Sequence, residues 1–147
     1  FGAEDFTADL GVERTREGRE HLFARCQIVL AARACGIQAL DTVYSDIEDE
    51  EGLIASTKES RSLGFEGRGV IHPAQIEPVH RVFTPTEKEI AYALRVRRAL
   101  KEAEARGTGV ASLGSKMVDA PIAARAERIL ALAQALGLLE NGKEVER

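Results

Sequence analysis

The alternation of short, β-branched apolar segments with longer amphipathic ones constrains this chain most. From about Gly18 to Ala34 the apolar residues, among them Leu22, Cys26, Val29 and Leu30, recur mainly at helical spacing, and Gly36 stands where a C′ glycine would end the helix. Ile37–Tyr44 then reads as a buried strand, Glu51–Leu63 as an amphipathic helix closed by Gly64, and Gly67–Ile71 as a further strand. His72-Pro73 opens a short helix that runs to Val82. At the start, Phe1–Phe6 reads as the end of a strand entering a loop, and Ala8-Asp9-Leu10-Gly11 as a turn. Strand and helix in regular succession, joined by short connections, predict an α/β fold with parallel strands and helical crossovers.

Past Phe83 the pattern changes. Thr84-Pro85-Thr86-Glu87 reads as a capping box, predicting a long helix from Pro85 to about Arg106 with Ile90, Leu94 and Leu100 on its apolar face. Gly107-Thr108-Gly109 breaks that helix, and Val110–Met117 is extended or irregular. A last helix is predicted from about Ala120 to Leu136, ended by Gly137, with Glu140–Arg147 as a polar, frayed tail. The chain thus divides into residues 1–83 and 84–147. The strands in the first part fall short of the eight that close a βα barrel. The sequence also opens on Phe1-Gly2-Ala3-Glu4-Asp5 without an initiator Met, so it is expected to be the second half of a larger α/β domain.

Composition narrows the partners. With 44% hydrophobic and 30% charged residues the chain is globular, and its net charge of −4 comes without any dense Lys/Arg run. Neither a nucleic-acid nor a membrane partner is expected. The longest apolar run, Ile28–Ala32, is far too short to span a bilayer. Cys26 and Cys35 read as buried free thiols in a reducing cytoplasm, and His21 and His80 as surface residues. Walker, dinucleotide-binding, nucleophile-elbow and zinc signatures are absent from the sequence.

Three places could carry chemistry. Glu4 and Asp5, read at a strand end, stand where α/β barrels put their active sites, and their oxygens suit a hard cation such as Mg²⁺; they are equally readable as loop acids, one of them capping the next turn. His72 could act as a base or could simply bond to backbone, while Pro73 suits a first helical position. Asp119, before Ala120-Pro121, is a favoured helix N-cap, and the spacing favours that role over an acid on a glycine-hinged lid.

Together, Gly2-Ala3-Glu4-Asp5-Phe6, Ala8-Asp9-Leu10-Gly11, Ala39–Asp46, Ile71–Ile76 and Gly114–Pro121 resemble, in the same order, the segments of the HpcH/HpaI aldolase and citrate lyase beta-subunit family. The resemblance implies a (β/α)8 TIM barrel of which this chain is the C-terminal half, followed by a helical lid segment. It implies Mg²⁺ held by Asp5 and by a Glu on an earlier strand outside this sequence, with a substrate-binding Arg also outside it. Asp119 becomes the catalytic acid of the lid, and Glu4, Asp41, Tyr44, His72 and Pro73 become expected substrate contacts.

The activity implied is Mg²⁺-dependent carbon–carbon lysis of a β-hydroxyacyl-CoA such as citramalyl-, malyl- or citryl-CoA, through an enolate of acetyl-CoA. Such a protein is expected to be a cytoplasmic homotrimer or homohexamer whose lid reaches a neighbouring subunit. This chain alone is expected to be inactive. Two alternatives remain: a citrate lyase beta subunit acting on a citryl-acyl carrier protein, and a non-catalytic assembly domain using the charged helix Pro85–Arg106.

Overall fold

A computed structural model describes residues 1–139, so the tail Glu140–Arg147 lies outside the described residues. The chain is mixed α/β and mostly helical, in two compact units: Phe1–Phe83, and the remainder from Thr84.

The first unit begins with α1 (Ala3–Leu10), which corrects the reading of Phe1–Phe6 as a strand end and of Ala8–Gly11 as a simple turn. Ahead of the helix, Gly2 is the extended N-cap, and the Phe1 amino group donates to the Leu40 carbonyl at 2.9 Å. Ala3 and Thr7, one helical turn apart, are both buried, and Thr7 Oγ1 donates to the Ala3 carbonyl. That i, i+4 pair is the helix signal in an otherwise acidic stretch. Helix α2 (Arg19–Cys35) ends as expected at Gly36, and α3 (Glu50–Leu63) at Gly64.

Between them the strands are shorter than expected. β1 (Leu40–Asp41) pairs in parallel with β2 (Gly67–Arg68), in the register Leu40↔Gly67 and Asp41↔Arg68. The expectation of parallel strands joined by helices therefore holds, but the burial does not. Asp41 is 3% exposed while Leu40 is 54% exposed, and Ile37, Val70 and Ile71 are exposed too. Successive strand residues point to opposite faces, and among the described residues α2 and α3 cover only the face that carries Asp41. Val29, Ala32, Ala39 and Phe65 form the apolar core on that side. A 3₁₀ turn (Pro73–Gln75) leads into α4 (Ile76–Phe83), whose Val79 and Val82 are buried.

In the second unit, α5 (Glu87–Ala105) has Thr86 as its N-cap, with the capping box closed by Glu89. The box therefore lies two residues later than the sequence reading put it, because Glu89, not Glu87, stands at N3 and reaches back to the Thr86 backbone. The segment read as extended or irregular is an antiparallel hairpin, β3 (Ala111–Leu113) with β4 (Lys116–Val118). Helix α6 (Ala120–Ala135) packs on α5 through Ala93, Val96, Ala103, Ala126, Leu130 and Ala133. Ile90 is in this core, whereas Leu94 and Leu100 lie at its margin, since the small residues are what let the two helices approach closely.

Candidate active site

The first turn of α1 is docked on the C-terminal end of β1, where the Ala3 N–H donates to Thr42 Oγ1 at 3.2 Å. Glu4 and Asp5 therefore stand above a strand end although they ride on a helix. Neighbouring helix residues diverge by roughly 100°, and the two carboxylates have different surroundings. Glu4 forms an ion pair with Arg14, whose other terminal nitrogen donates to the Val43 carbonyl at 2.6 Å. Asp5 is exposed, and no described residue hydrogen-bonds to or pairs with its carboxylate.

A cavity of about 400 Å³ opens beside Glu4. Arg14, Arg16, His21, Thr42 and Tyr44 contribute to its wall. The loop between α1 and α2 supplies the two arginines and is anchored at its far end by Glu20, which accepts from the Thr15 N–H and hydroxyl at 3.0 and 2.8 Å. Burial acts to raise the Glu20 pKa, but these bonds and the adjacent His21 outweigh it and hold the carboxyl down at about 2. His21, expected at the surface, is 4% exposed: its Nδ1 lies 3.0 Å from Glu20, and its ring packs near Phe1. Gly18 makes room for it, since a Cβ there would stand 2.7 Å from His21 Nε2.

Tyr44 crosses the mouth of α3. Its hydroxyl donates to Asp49 Oδ2 at 2.6 Å, and Asp49 also accepts from the Gly52 N–H as the N-cap of α3 and pairs with Arg16. The Tyr44 hydrogen bond, then the Gly52 N–H, lower the Asp49 pKa, while burial and the neighbouring carboxylate raise that of Tyr44. Gly52 leaves room for this joint, since a Cβ there would meet the Tyr44 hydroxyl at 2.1 Å and displace it. Gln75, 2% exposed, joins the two strand-end loops by donating to the Tyr44 carbonyl at 2.9 Å and accepting from the Ile71 N–H at 3.0 Å.

The expected site residues thus separate. Glu4 and Tyr44 share the cavity wall, and Gln75 ties the loop of Tyr44 to that of His72 and Pro73. His72 is exposed, and its Nδ1 accepts from the Ala74 N–H as the cap of the 3₁₀ turn, with Pro73 at the first position. Asp41 sits below, with both oxygens taken: Arg25 Nε and Nη2 reach it at 3.1 and 2.6 Å and Ser60 Oγ at 2.5 Å. Burial alone would raise its pKa, yet these bonds lower it, and the arrangement leaves no oxygen turned to a ligand. Asp119, in the second unit, caps α6 by accepting from the Ile122 N–H at 3.4 Å. Cys26 is half-buried and Cys35 exposed, not buried as expected, since Cys35 is the last residue of α2. Arg14, Arg16, Asp49 and Gln75 escaped the sequence reading. The findable signals were two arginines in a loop bounded by Gly11 and Gly18, and an Asp placed as N-cap before the amphipathic run of α3.

An oxygen ligand without a protein partner fits a hard divalent cation, which prefers one or two carboxylates and its own waters. Among the described residues no group of three His, Cys, Asp or Glu is placed to hold a metal, so Asp5 can supply only part of such a site. No helix among them is long and apolar enough to cross a membrane.

Residues 1–73 match the sequence profile of the HpcH/HpaI aldolase/citrate lyase family. The chain is 51% identical over 130 residues to citrate lyase subunit beta of Haemophilus influenzae, covering 88% of this chain and 45% of that protein. It is 40% identical over 136 residues to the mitochondrial citramalyl-CoA lyase of Rattus norvegicus, covering 92% and 40%. The crystal structure of CitE from Mycobacterium tuberculosis in complex with magnesium, acetoacetate and coenzyme A superposes with a TM-score of 0.74 at 36% identity, over 90% of this chain and 50% of that one. The chain spans about half the length of the curated relatives it matches. On the matched segments and these identities, the chain belongs to the HpcH/HpaI aldolase/citrate lyase family.

Proposed function

We propose that this chain is the C-terminal half of a Mg²⁺-dependent carbon–carbon lyase that cleaves a β-hydroxyacyl-CoA, such as citramalyl-, malyl- or citryl-CoA, to acetyl-CoA and a keto acid. Residues 1–83 would form the last strands and helices of a (β/α)8 barrel, and residues 84–147 its C-terminal helices and lid. The exposed strand face carrying Leu40 suits a barrel interior that further strands would complete. The observation that carries the reading is the unengaged Asp5 carboxylate above a strand end, in a chain 36% identical to a protein crystallised with magnesium, acetoacetate and coenzyme A.

Asp5 would hold the ion, which when bound polarises the oxygens of the keto or carboxylate fragment. In the cleavage direction the proton of the substrate's β-hydroxyl would pass to a water molecule as its oxygen forms the carbonyl of the keto acid, the Cα–Cβ bond breaks, and the electrons of that bond form the enolate of acetyl-CoA. Asp119 delivers a proton to the enolate carbon, and closure of the segment carrying it excludes water from that carbon. Glu4, Tyr44, His72 and Pro73 would line the path of the acyl-CoA. Asp41 acts behind them by fixing Arg25. A homotrimer or homohexamer with the lid of one subunit over its neighbour's site, in the cytoplasm, completes the reading.

The test is turnover in the intact protein. Asp119→Asn should abolish release of acetyl-CoA while leaving Mg²⁺ binding intact, and Asp5→Asn should abolish both. Unchanged turnover in Asp119→Asn would refute the mechanism. A second reading, a citrate lyase beta subunit acting on a citryl-acyl carrier protein, is favoured by the relatives named citrate lyase subunit beta at 51% and 47% identity. A rate at least tenfold greater on the carrier-bound thioester than on the CoA ester would select it.

A further inference from the structure

We infer that Arg14 is a positioning residue that withdraws Glu4 from the metal, leaving Asp5 as the only ligand of the adjacent carboxylate pair; this rests on the proposed role of Asp5. Glu4 and Asp5 are adjacent carboxylates on the first turn of α1, and a divalent ion held at this helix start would attract either of them. The structure holds them differently. Arg14 is nearly buried, at 16% side-chain exposure, and its fork is divided between Glu4 and the Val43 carbonyl. The guanidinium is thereby fixed to the loop after β1 and cannot follow Glu4 toward the ion. Glu4 is turned into the cavity, while Asp5 has no described partner. The ion pair also cancels one negative charge beside the ion, so this pair presents a single carboxylate, which with the Glu expected on an earlier strand makes the two that Mg²⁺ accepts while keeping several waters.

Isothermal titration of the intact protein with Mg²⁺ alone tests this without recourse to turnover. Glu4→Gln should change the Mg²⁺ Kd by less than about threefold, because Glu4 is not a ligand. Arg14→Gln keeps a donor for the Val43 carbonyl but frees Glu4, and should tighten Mg²⁺ roughly three- to tenfold, as one more charge near a divalent ion in a wet site would. The Glu4→Gln, Arg14→Gln double variant should lose that gain, and Arg14→Lys, which preserves the charge, should bind as the parent does. A loss of tenfold or more in Glu4→Gln would make Glu4 a ligand and overturn the inference. So would an unchanged or weaker Kd in Arg14→Gln. Parent-like Mg²⁺ binding by Asp5→Asn would instead refute the metal role of Asp5 itself, and is read separately from the other variants.

Discussion

At the residue scale, the charges of the first unit are spent on holding loops in place. Glu20 shows the cost of that use in its titration. Its carboxyl is held at about 2, against an ordinary 4.5, so its contribution to stability is complete above about pH 4.5 and is lost as the pH falls toward 2. Urea unfolding should therefore show Glu20→Gln destabilised at neutral pH, with the gap to the parent closing between about pH 4.5 and 2; a constant gap across that range would disprove the assignment. Arg25 and Asp41 show the same economy deeper in. Burial disfavours both charges, but the paired geometry and Ser60 overcome it, so this aspartate acts as scaffold.

At the scale of elements, helix termini carry both structure and candidate chemistry. Asp119 is an N-cap and the proposed proton donor, and the two roles can be separated because Asn caps a helix about as well as Asp. Asp119→Ala should lower the stability of the second unit by about 1 kcal/mol, whereas Asp119→Asn should leave thermal unfolding unchanged while removing turnover. Equal stability of the two variants would show that the Ile122 N–H bond contributes nothing. Tyr44, Asp49 and Gly52 form a comparable joint at the start of α3, where one carboxylate caps the helix, accepts from the phenol and pairs with Arg16.

At the scale of the whole molecule, the described residues supply one unengaged carboxylate to the proposed metal site and, among themselves, leave one face of the two-stranded parallel sheet uncovered. Residues 1–147 on their own should form no pyruvate from citramalyl-CoA above background in an assay of keto-acid release, while the intact protein does; turnover by the isolated chain would contradict the half-site reading. Much of the fold was legible beforehand. The helices α2, α3, α5 and α6 follow from periodicity and terminal caps, which are local interactions among residues three or four positions apart. Legible also were the parallel order of the strands and the segments that mark the family. The rest depended on partners distant in sequence. α1 was hidden because its apolar signal is only Ala3 and Thr7, and its docking needs Thr42. Asp41 was an expected substrate contact until Arg25 and Ser60 surrounded it, and Leu40 looked buried until its face proved uncovered among the described residues. The sequence by itself determined the helices α2, α3, α5 and α6, the parallel order of the strands, and the family. Only the tertiary structure decided which carboxylates are spent and which remain available, because neutralising a charge takes a specific neighbour within about 3 Å, and no local pattern records that neighbour.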